Sequence, residues 1–292
     1  YNGHPDFAIV NPDLSSDTAI VIGAGNVAMD CARLLALEPT ELDPTDTADH
    51  AIAAFKNSNI RKVYICARRG AEFAAFTSPE LRELPDLEHT NVIISKDEIE
   101  GAIARVGAEP EKHVKSNLDA MLNIASNETH PHERTMEFLF QHVPTSINGT
   151  DKVESVTFKT PEGEKTINCG LVISAIGYQP KTAEGLNVAG SKLTNTDGHI
   201  SENLFVVGWA KRGPSGVIGT NKSDAADVMK QLVEKLPANP KSDFDLSTVL
   251  NAAFITQAIW ERINQAEISA GEPLGKPRKK LVSVENLLKA GN

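Results

Sequence analysis

The sequence has no surplus of positive charge: 29 lysines and arginines stand against 39 aspartates and glutamates, a formal net charge of −10. A surface that tracks a polyphosphate strand needs the opposite balance, so nucleic acid is not an expected partner, although a local basic patch is compatible with the total. Cysteine is scarce too. Cys31, Cys66 and Cys169 are far apart, odd in number and form no CxxC pair. That argues against a disulfide framework and for a reducing compartment, and a cytoplasmic protein is expected. No apolar run reaches the roughly 20 residues of a membrane-spanning helix, and no signal-peptide pattern is present. The eight histidines are scattered, and the closest pair, His130 and His132, lies in a polar stretch without further ligands, so no metal site is expected. An initiator methionine is also missing. The opening Tyr1-Asn2-Gly3-His4-Pro5 reads like the inside of a longer sequence, and a chain cut upstream is expected.

What is present is enough for two domains in 292 residues. After a segment rich in Pro, Asp and Ser (residues 11–17), Thr18-Ala19-Ile20-Val21-Ile22 is an apolar run of the kind buried in a parallel sheet. A glycine turn follows, then a helix expected to bury Val27, Cys31, Leu34 and Leu35 and to stop before Pro39. A second helix is expected over residues 45–55, then a strand over residues 62–67 that ends in Arg68-Arg69-Gly70. This is a βαβ unit with a long crossover. Residues 77–84 read as a helix start with Pro79 in its first turn, Val92-Ile93-Ile94 as a weak strand, and residues 110–127 as holding an amphipathic helix. From Arg134 the period shifts to two, and residues 136–140 and 153–158 read as antiparallel strands around the Asn148-Gly149 turn. Residues 171–176 and 204–207 read as buried strands, and helical stretches at 223–236 and 246–268 precede a basic tail. A second domain is expected to take over at Gly177.

Three constellations carry chemistry. In Gly23-Ala24-Gly25-Asn26-Val27-Ala28, between strand and helix, the first glycine makes the tight turn and the second admits a pyrophosphate to the backbone. Ala28 keeps helix and strand close, and the amides at the helix start meet the phosphate charge. A structural tight turn is the plain alternative. At the end of the next strand, beside the adenosine ribose of such a site, an NAD-type protein places an acid. Here stand Arg68 and Arg69, whose guanidiniums match a 2′-phosphate and favour NADP over two merely solvated arginines. The interval from the turn is about twice the usual twenty residues, so the strand rather than the count locates them. Third, residues 209–221 (WAKRGPSGVIGTN) hold three glycines and a proline directly after an apolar strand. They describe either a ligand loop walled by Trp209 or a structural turn.

Taken with Ala75-Phe76-Thr77, with Glu80-Leu81-Arg82-Glu83-Leu84 and with the tail residues 266–281, these stretches resemble the ferredoxin–NADP reductases of the adrenodoxin-reductase type. The likeness runs over nearly the whole chain and is most specific in residues 208–222, where Ser215 replaces a common threonine. It implies an α/β fold: a three-layer, Rossmann-like NADP-binding domain plus the C-terminal part of a two-dinucleotide-binding-domain flavoprotein. Residues 1–12 would then cross from the FAD domain, 13–176 form the NADP-binding domain and 177–292 belong to the FAD-binding domain. The family's N-terminal unit for the ADP half of FAD has no counterpart here, nor has its active-site histidine.

The resemblance further implies that Gly23, Ala24, Gly25, Asn26 and Val27 hold the NADP pyrophosphate and that Arg68 and Arg69 hold the 2′-phosphate. Glu80 would lie at the same site and Glu83 at the nicotinamide carboxamide, orienting it. Trp209, Gly216, Val217 and Ile218 would line the flavin. The implied activity is that of a ferredoxin–NADP reductase, with hydride transfer between NADPH and FAD and single electrons to a ferredoxin-type iron–sulfur protein. Such a partner is acidic, and Lys276, Arg278, Lys279 and Lys280 could dock it unless they form a solvated tail. Two other readings stand beside this one: a flavin-less NADP-binding module, and an NADPH-handling subunit related to the small subunit of glutamate synthase.

Overall fold

The computed structural model describes residues 1–127, 132–181, 184–216, 218–236 and 254–292. They fall into two compact units, Tyr1–Ile176 with Ile255–Asn292, and Gly177–Phe254. The break between them falls at Gly177, and residues 255–292 group with the first unit.

The first unit runs β1 (Thr18–Ile22), α1 (Asn26–Ala36), α2 (Asp49–Lys56), β2 (Lys62–Cys66), α3 (Ser78–Glu83), β3 (Thr90–Ile94) and α4 (Lys96–Val106). It continues with α5 (Lys112–Ala125), β4 (Arg134–Leu139), β5 (Val143–Asn148), β6 (Ser155–Thr160), β7 (Gly163–Asn168) and β8 (Leu171–Ser174). Five strands make a parallel sheet in the order β3-β4-β2-β1-β8. The interior strand β1 is covered on both faces, which is why its sequence is apolar throughout rather than alternating. Ala19 and Val21 join the core formed with α1, α3, α4 and α5, while Ile20 joins Cys66, Leu139, Val156, Phe158 and Ile167 on the other side. That other side is roofed by a separate antiparallel sheet, β5-β6-β7. The three layers are therefore helices, parallel sheet and antiparallel sheet.

Several local expectations are corrected here. The buried face of α1 is Ala28, Met29, Ala32, Leu35 and Ala36, one position round from the expected stripe, and Val27 is exposed. Small residues fill this face because the helix lies close to the strands. The long crossover holds a 3₁₀ turn at Pro39–Leu42 and only two helical turns in α2. Residues 136–140 do not pair with residues 153–158. β4 is a parallel strand between β2 and β3, and the Asn148-Gly149 turn joins β5 to β6. β5 is mostly exposed and polar, so it leaves little alternation in the sequence to read. Helix α4 was not anticipated. Ser95 accepts from the Glu98 amide at its start, acids fill its first turn, and Ile99 and Ala102 are its buried contacts.

The second unit holds β9 (Val188–Ala189), β10 (Lys192–Leu193), β11 (His199–Ser201), β12 (Leu204–Phe205), α6 (Gly208–Arg212) and α7 (Ile218–Lys235). The strands pair as two short antiparallel ribbons. Residues 204–207 are accordingly not a buried strand: Leu204 and Val207 are exposed, and pairing stops at Phe205. The tail, in the first unit, contains α8 (Gln257–Gly271) and α9 (Val284–Gly291). Of the helix expected over 246–268, residues 246–253 lie outside the described residues, as do His130 and Val217.

Candidate functional site

In the first unit the parallel register brings the chemistry to one edge of the sheet. Ile22 at the end of β1 lies level with Cys66 at the end of β2 and with Ser174 at the end of β8. The glycine turn and Arg68-Arg69 therefore emerge side by side, one strand spacing apart, despite the long crossover. Gly23 turns with φ +151°, donates its N–H to Cys66 O and lies so close to β8 that a Cβ would meet Ala175 O at 2.3 Å. No other residue fits there.

Gly25 differs. It is the N-cap of α1, with φ −131° and ψ 176° and no side-chain cap, so the amides of the first turn after Asn26 have neither an intrahelical nor a side-chain acceptor. A Cβ on Gly25 would find only Ala75 Cβ, at 4.0 Å. The protein itself makes no use of the missing methyl; the open space in front of an uncapped helix start is a cradle that fits a pyrophosphate. Ala24 is pinned from behind, its carbonyl accepting the Ala75 N–H at 2.6 Å. Asn26 is held by a reciprocal pair with Thr77, Nδ2 to Oγ1 at 3.2 Å and Oδ1 from the Thr77 amide at 2.9 Å. Its side chain is thus committed to the start of α3, and the parallel bridge between Gly25 and Ala75 ties the start of α1 to the same segment.

Arg68 and Arg69 are exposed, and neither has an ion-pair partner among the described residues. Arg69 lies over the Phe73 ring, 4.8 Å from its centroid, which restrains the guanidinium without neutralising it. Glu80 is half-buried in the first turn of α3. Glu83, at the end of that helix, is 64% exposed, and its Oε2 accepts from Arg33 of α1 at 3.2 Å. Arg33 also holds Asp30 at 3.1 Å. This link between α1 and Glu83 joins residues 50 apart and leaves no local pattern to read.

In the second unit, Trp209 is the second residue of α6 and is 45% exposed. Gly216 has φ +81°, and a Cβ there would strike the Thr220 side chain at 2.8 Å, so the loop closes tightly on the start of α7. Ile218 is the first residue of that helix. A residue missed in the sequence holds the arrangement together. Asp224 of α7 is 8% exposed; it accepts from the Gly208 amide at 3.0 Å and from Lys211 Nζ at 2.7 Å, and lies 3.4 Å from Arg212 Nε. The Lys211 hydrogen bond, with help from the Gly208 amide, holds the Asp224 carboxyl below the usual carboxylate range despite its desolvation. Arg212 also donates to Ser215 O at 3.0 Å and to Asn221 Oδ1.

The basic tail is not a free cationic face. Lys276 and Lys279 both end on Asp49, at 2.9 and 3.3 Å, and Lys280 reaches Asp46 at 3.3 Å and Asn2. Arg278 is paired with Glu267 at 3.2 Å. The three lysines clasp the tail to the region around α2, while Arg278 braces the tail against its own helix α8.

No family model matches the chain. The NADPH-ferredoxin reductase FprA of Mycobacterium tuberculosis is 38% identical over 323 residues, an alignment covering 100% of this chain and 71% of that protein. The mitochondrial NADPH:adrenodoxin oxidoreductase of Arabidopsis thaliana is 32% identical, with 99% of this chain and 70% of that protein covered. The solved structure of M. tuberculosis FprA in complex with NADPH superposes with a TM-score of 0.89 at 36% identity, over 100% of this chain and 71% of that one. The chain belongs to the NADPH–ferredoxin reductase family. This agrees with the resemblance carried by the glycine turn, the arginine pair and residues 208–222. Its fold is that of a two-dinucleotide-binding flavoprotein of that family.

Proposed function

We propose that this chain works as a ferredoxin–NADP reductase, passing electrons between NADPH and a ferredoxin-type iron–sulfur protein by way of FAD. The observation that carries the reading is the pair of unpartnered guanidiniums, Arg68 and Arg69, on the same sheet edge as the uncapped start of α1. One feature suits a pyrophosphate and the other a 2′-phosphate. FAD, when bound, supplies acceptance of a hydride and its release as single electrons.

The protein's own contribution is binding and orientation. The backbone from Ala24 to Val27 holds the pyrophosphate, and Arg68 and Arg69 grip the 2′-phosphate. Glu80 borders the same site. Glu83 orients the nicotinamide carboxamide: Arg33 occupies its Oε2, leaving Oε1 to accept from an amide. Trp209, Gly216, Val217 and Ile218 line the flavin, with the exposed indole as a flat apolar wall. A hydride transfer would need no side chain as an acid or base, so these residues would bind and orient only. Residues 1–12 and 177–292 are assigned to the FAD-binding side and 13–176 to the NADP-binding side. The three cysteines are free, which suits a cytoplasmic protein.

The test compares NADPH with NADH as reductant of the flavin-loaded protein. Arg68→Gln/Arg69→Gln should raise KM for NADPH by about 100-fold, two charge-assisted contacts being lost, and leave NADH within about twofold. Equal loss for both nucleotides, or no loss for NADPH, overturns the assignment.

A further inference from the structure

Arg68 and Arg69 lack a carboxylate partner among the described residues, although a buried carboxylate stands three residues beyond Arg69 in the sequence. The Glu72 side chain is only 7% exposed, and a Cβ on Gly70 would sit 2.3 Å from its Oε2. Left unpaired, such a carboxylate beside Gly70 would compete for the guanidiniums of the two preceding residues, and a charge-assisted bond to either would occupy the donors that a phosphate requires. Arg105, near the end of α4, prevents this. Its Nε donates to Glu72 Oε1 at 2.7 Å and its Nη2 to Oε2 at 3.0 Å, a two-pronged bond. The same Nη2 reaches Glu98 Oε1 at 2.9 Å, and Glu98 Oε2 accepts from Gln141 Nε2 at 2.8 Å. Gln141, in the left-handed region with φ +57°, returns its backbone N–H to Arg69 O at 3.0 Å. The ring of contacts thus closes on the strand end that carries the two arginines. Burial pushes the Glu72 carboxyl up, but the Arg105 bonds outweigh it and leave the group below its ordinary range.

We propose that Arg105 is a positioning residue for cofactor choice: by saturating Glu72 and Glu98 it keeps Arg68 and Arg69 available to a 2′-phosphate. The proposal rests on the reading that those two arginines hold that phosphate. Arg105 itself does not touch the ligand. A merely structural role would weaken all nucleotide binding together, whereas this role weakens only the part that depends on the 2′-phosphate.

The experiment is calorimetric binding of 2′-phospho-ADP-ribose and of ADP-ribose to the full chain. Arg105→Gln should weaken the phosphorylated ligand about tenfold, the worth of one charge-assisted bond lost to competition, and leave ADP-ribose within about twofold. Removing the competitor as well, in Glu72→Gln/Arg105→Gln, should restore binding to within about threefold of the original protein. If the double variant stays as weak as the single one, or the single one binds normally, the proposal fails. Arg68→Gln/Arg69→Gln separates the two levels: should it keep full discrimination, the reading of the arginine pair falls instead. If Arg105→Gln does not fold, Arg105→Lys keeps the charge but not the fork, and about a threefold selective loss is expected. An equal loss for both ligands in that variant would also overturn the proposal.

Discussion

Two pairs of adjacent cations, one in each unit, have opposite surroundings. Lys211 and Arg212 converge on Asp224, and Arg212 also takes Ser215 O and Asn221. Arg68 and Arg69 face solvent with no acid partner among the described residues, and the buried Glu72 is held by Arg105 instead. A cation paired with a carboxylate orders the protein around it, while one without is left for a ligand. By that criterion the second unit uses its basic residues to shape a loop, and the first uses them to recognise an anion. The tail lysines, each ending on a carboxylate, fall with Lys211 and Arg212.

The largest expected effect breaks the second pair. Asp224→Ala would strand Lys211 and Arg212, which are 16% and 21% exposed, without their counter-charge. Discounted for that partial exposure, the cost should be about 2 kcal/mol. The loop carrying Gly216 and the helix carrying Trp209 should loosen together. Acrylamide quenching of Trp209, read in a Trp260→Phe background, should therefore increase while NADP+ binding stays unchanged. Unaltered quenching would mean that Asp224 does not clamp the loop, and the contrast between the two pairs would lose its structural half.

The contrast also marks how far the sequence could be read. The glycine turn, its flanking strand and helix, and Arg68-Arg69 were visible because each depends on local order: an apolar run, then Gly-x-Gly, then a strand end. The parallel sheet followed from the same pattern. What stayed hidden depends on long-range partners. Arg105 and Glu72 are 33 residues apart, and Arg33 and Glu83 are 50 apart. Asp224 looks in the sequence like any polar residue of a helix. The tail was misleading for the same reason: Lys276 meets Asp49 across 227 residues, so a run that reads as a free basic patch is internally neutralised. β4 was misassigned because its alternation suits a hairpin as well as it suits a strand covered on both faces. Motifs report chemistry that is contiguous, and charge pairing across the fold then decides which charges remain for a ligand.

A smaller effect is expected where the tail is unclasped. Lys276→Gln/Lys280→Gln leaves Asp49 and Asp46 without their nearest ammonium groups, but both acids are about half exposed. Water screens what remains, so the loss should be about 1 kcal/mol, seen as a melting point lowered by a few degrees. NADPH oxidation and salt-dependent ferredoxin reduction should persist. Ferredoxin reduction abolished at an unchanged melting point would move the tail into the ligand-facing class.

The smallest effect is a pH dependence that distinguishes a paired tail from a merely crowded one. Hydrogen bonds from Lys276, and then from Lys279, hold the Asp49 carboxyl below its ordinary value in the folded protein against a modest desolvation. A folded pKa below the unfolded one, near 3.9, contributes stability that is fully present above that unfolded value and lost as pH falls through the lowered folded value. The melting-point gap between the original protein and Asp49→Asn should therefore be constant from neutral pH down to about 5 and close progressively below about 4. Because Asp49 is half exposed, the gap should stay under about 1 kcal/mol throughout. In a Lys276→Gln/Lys279→Gln background the carboxyl returns to its ordinary range and the acid closure should vanish. If it persists there, Asp49 is held down by something other than the tail, and the tail cations would again be open to a partner.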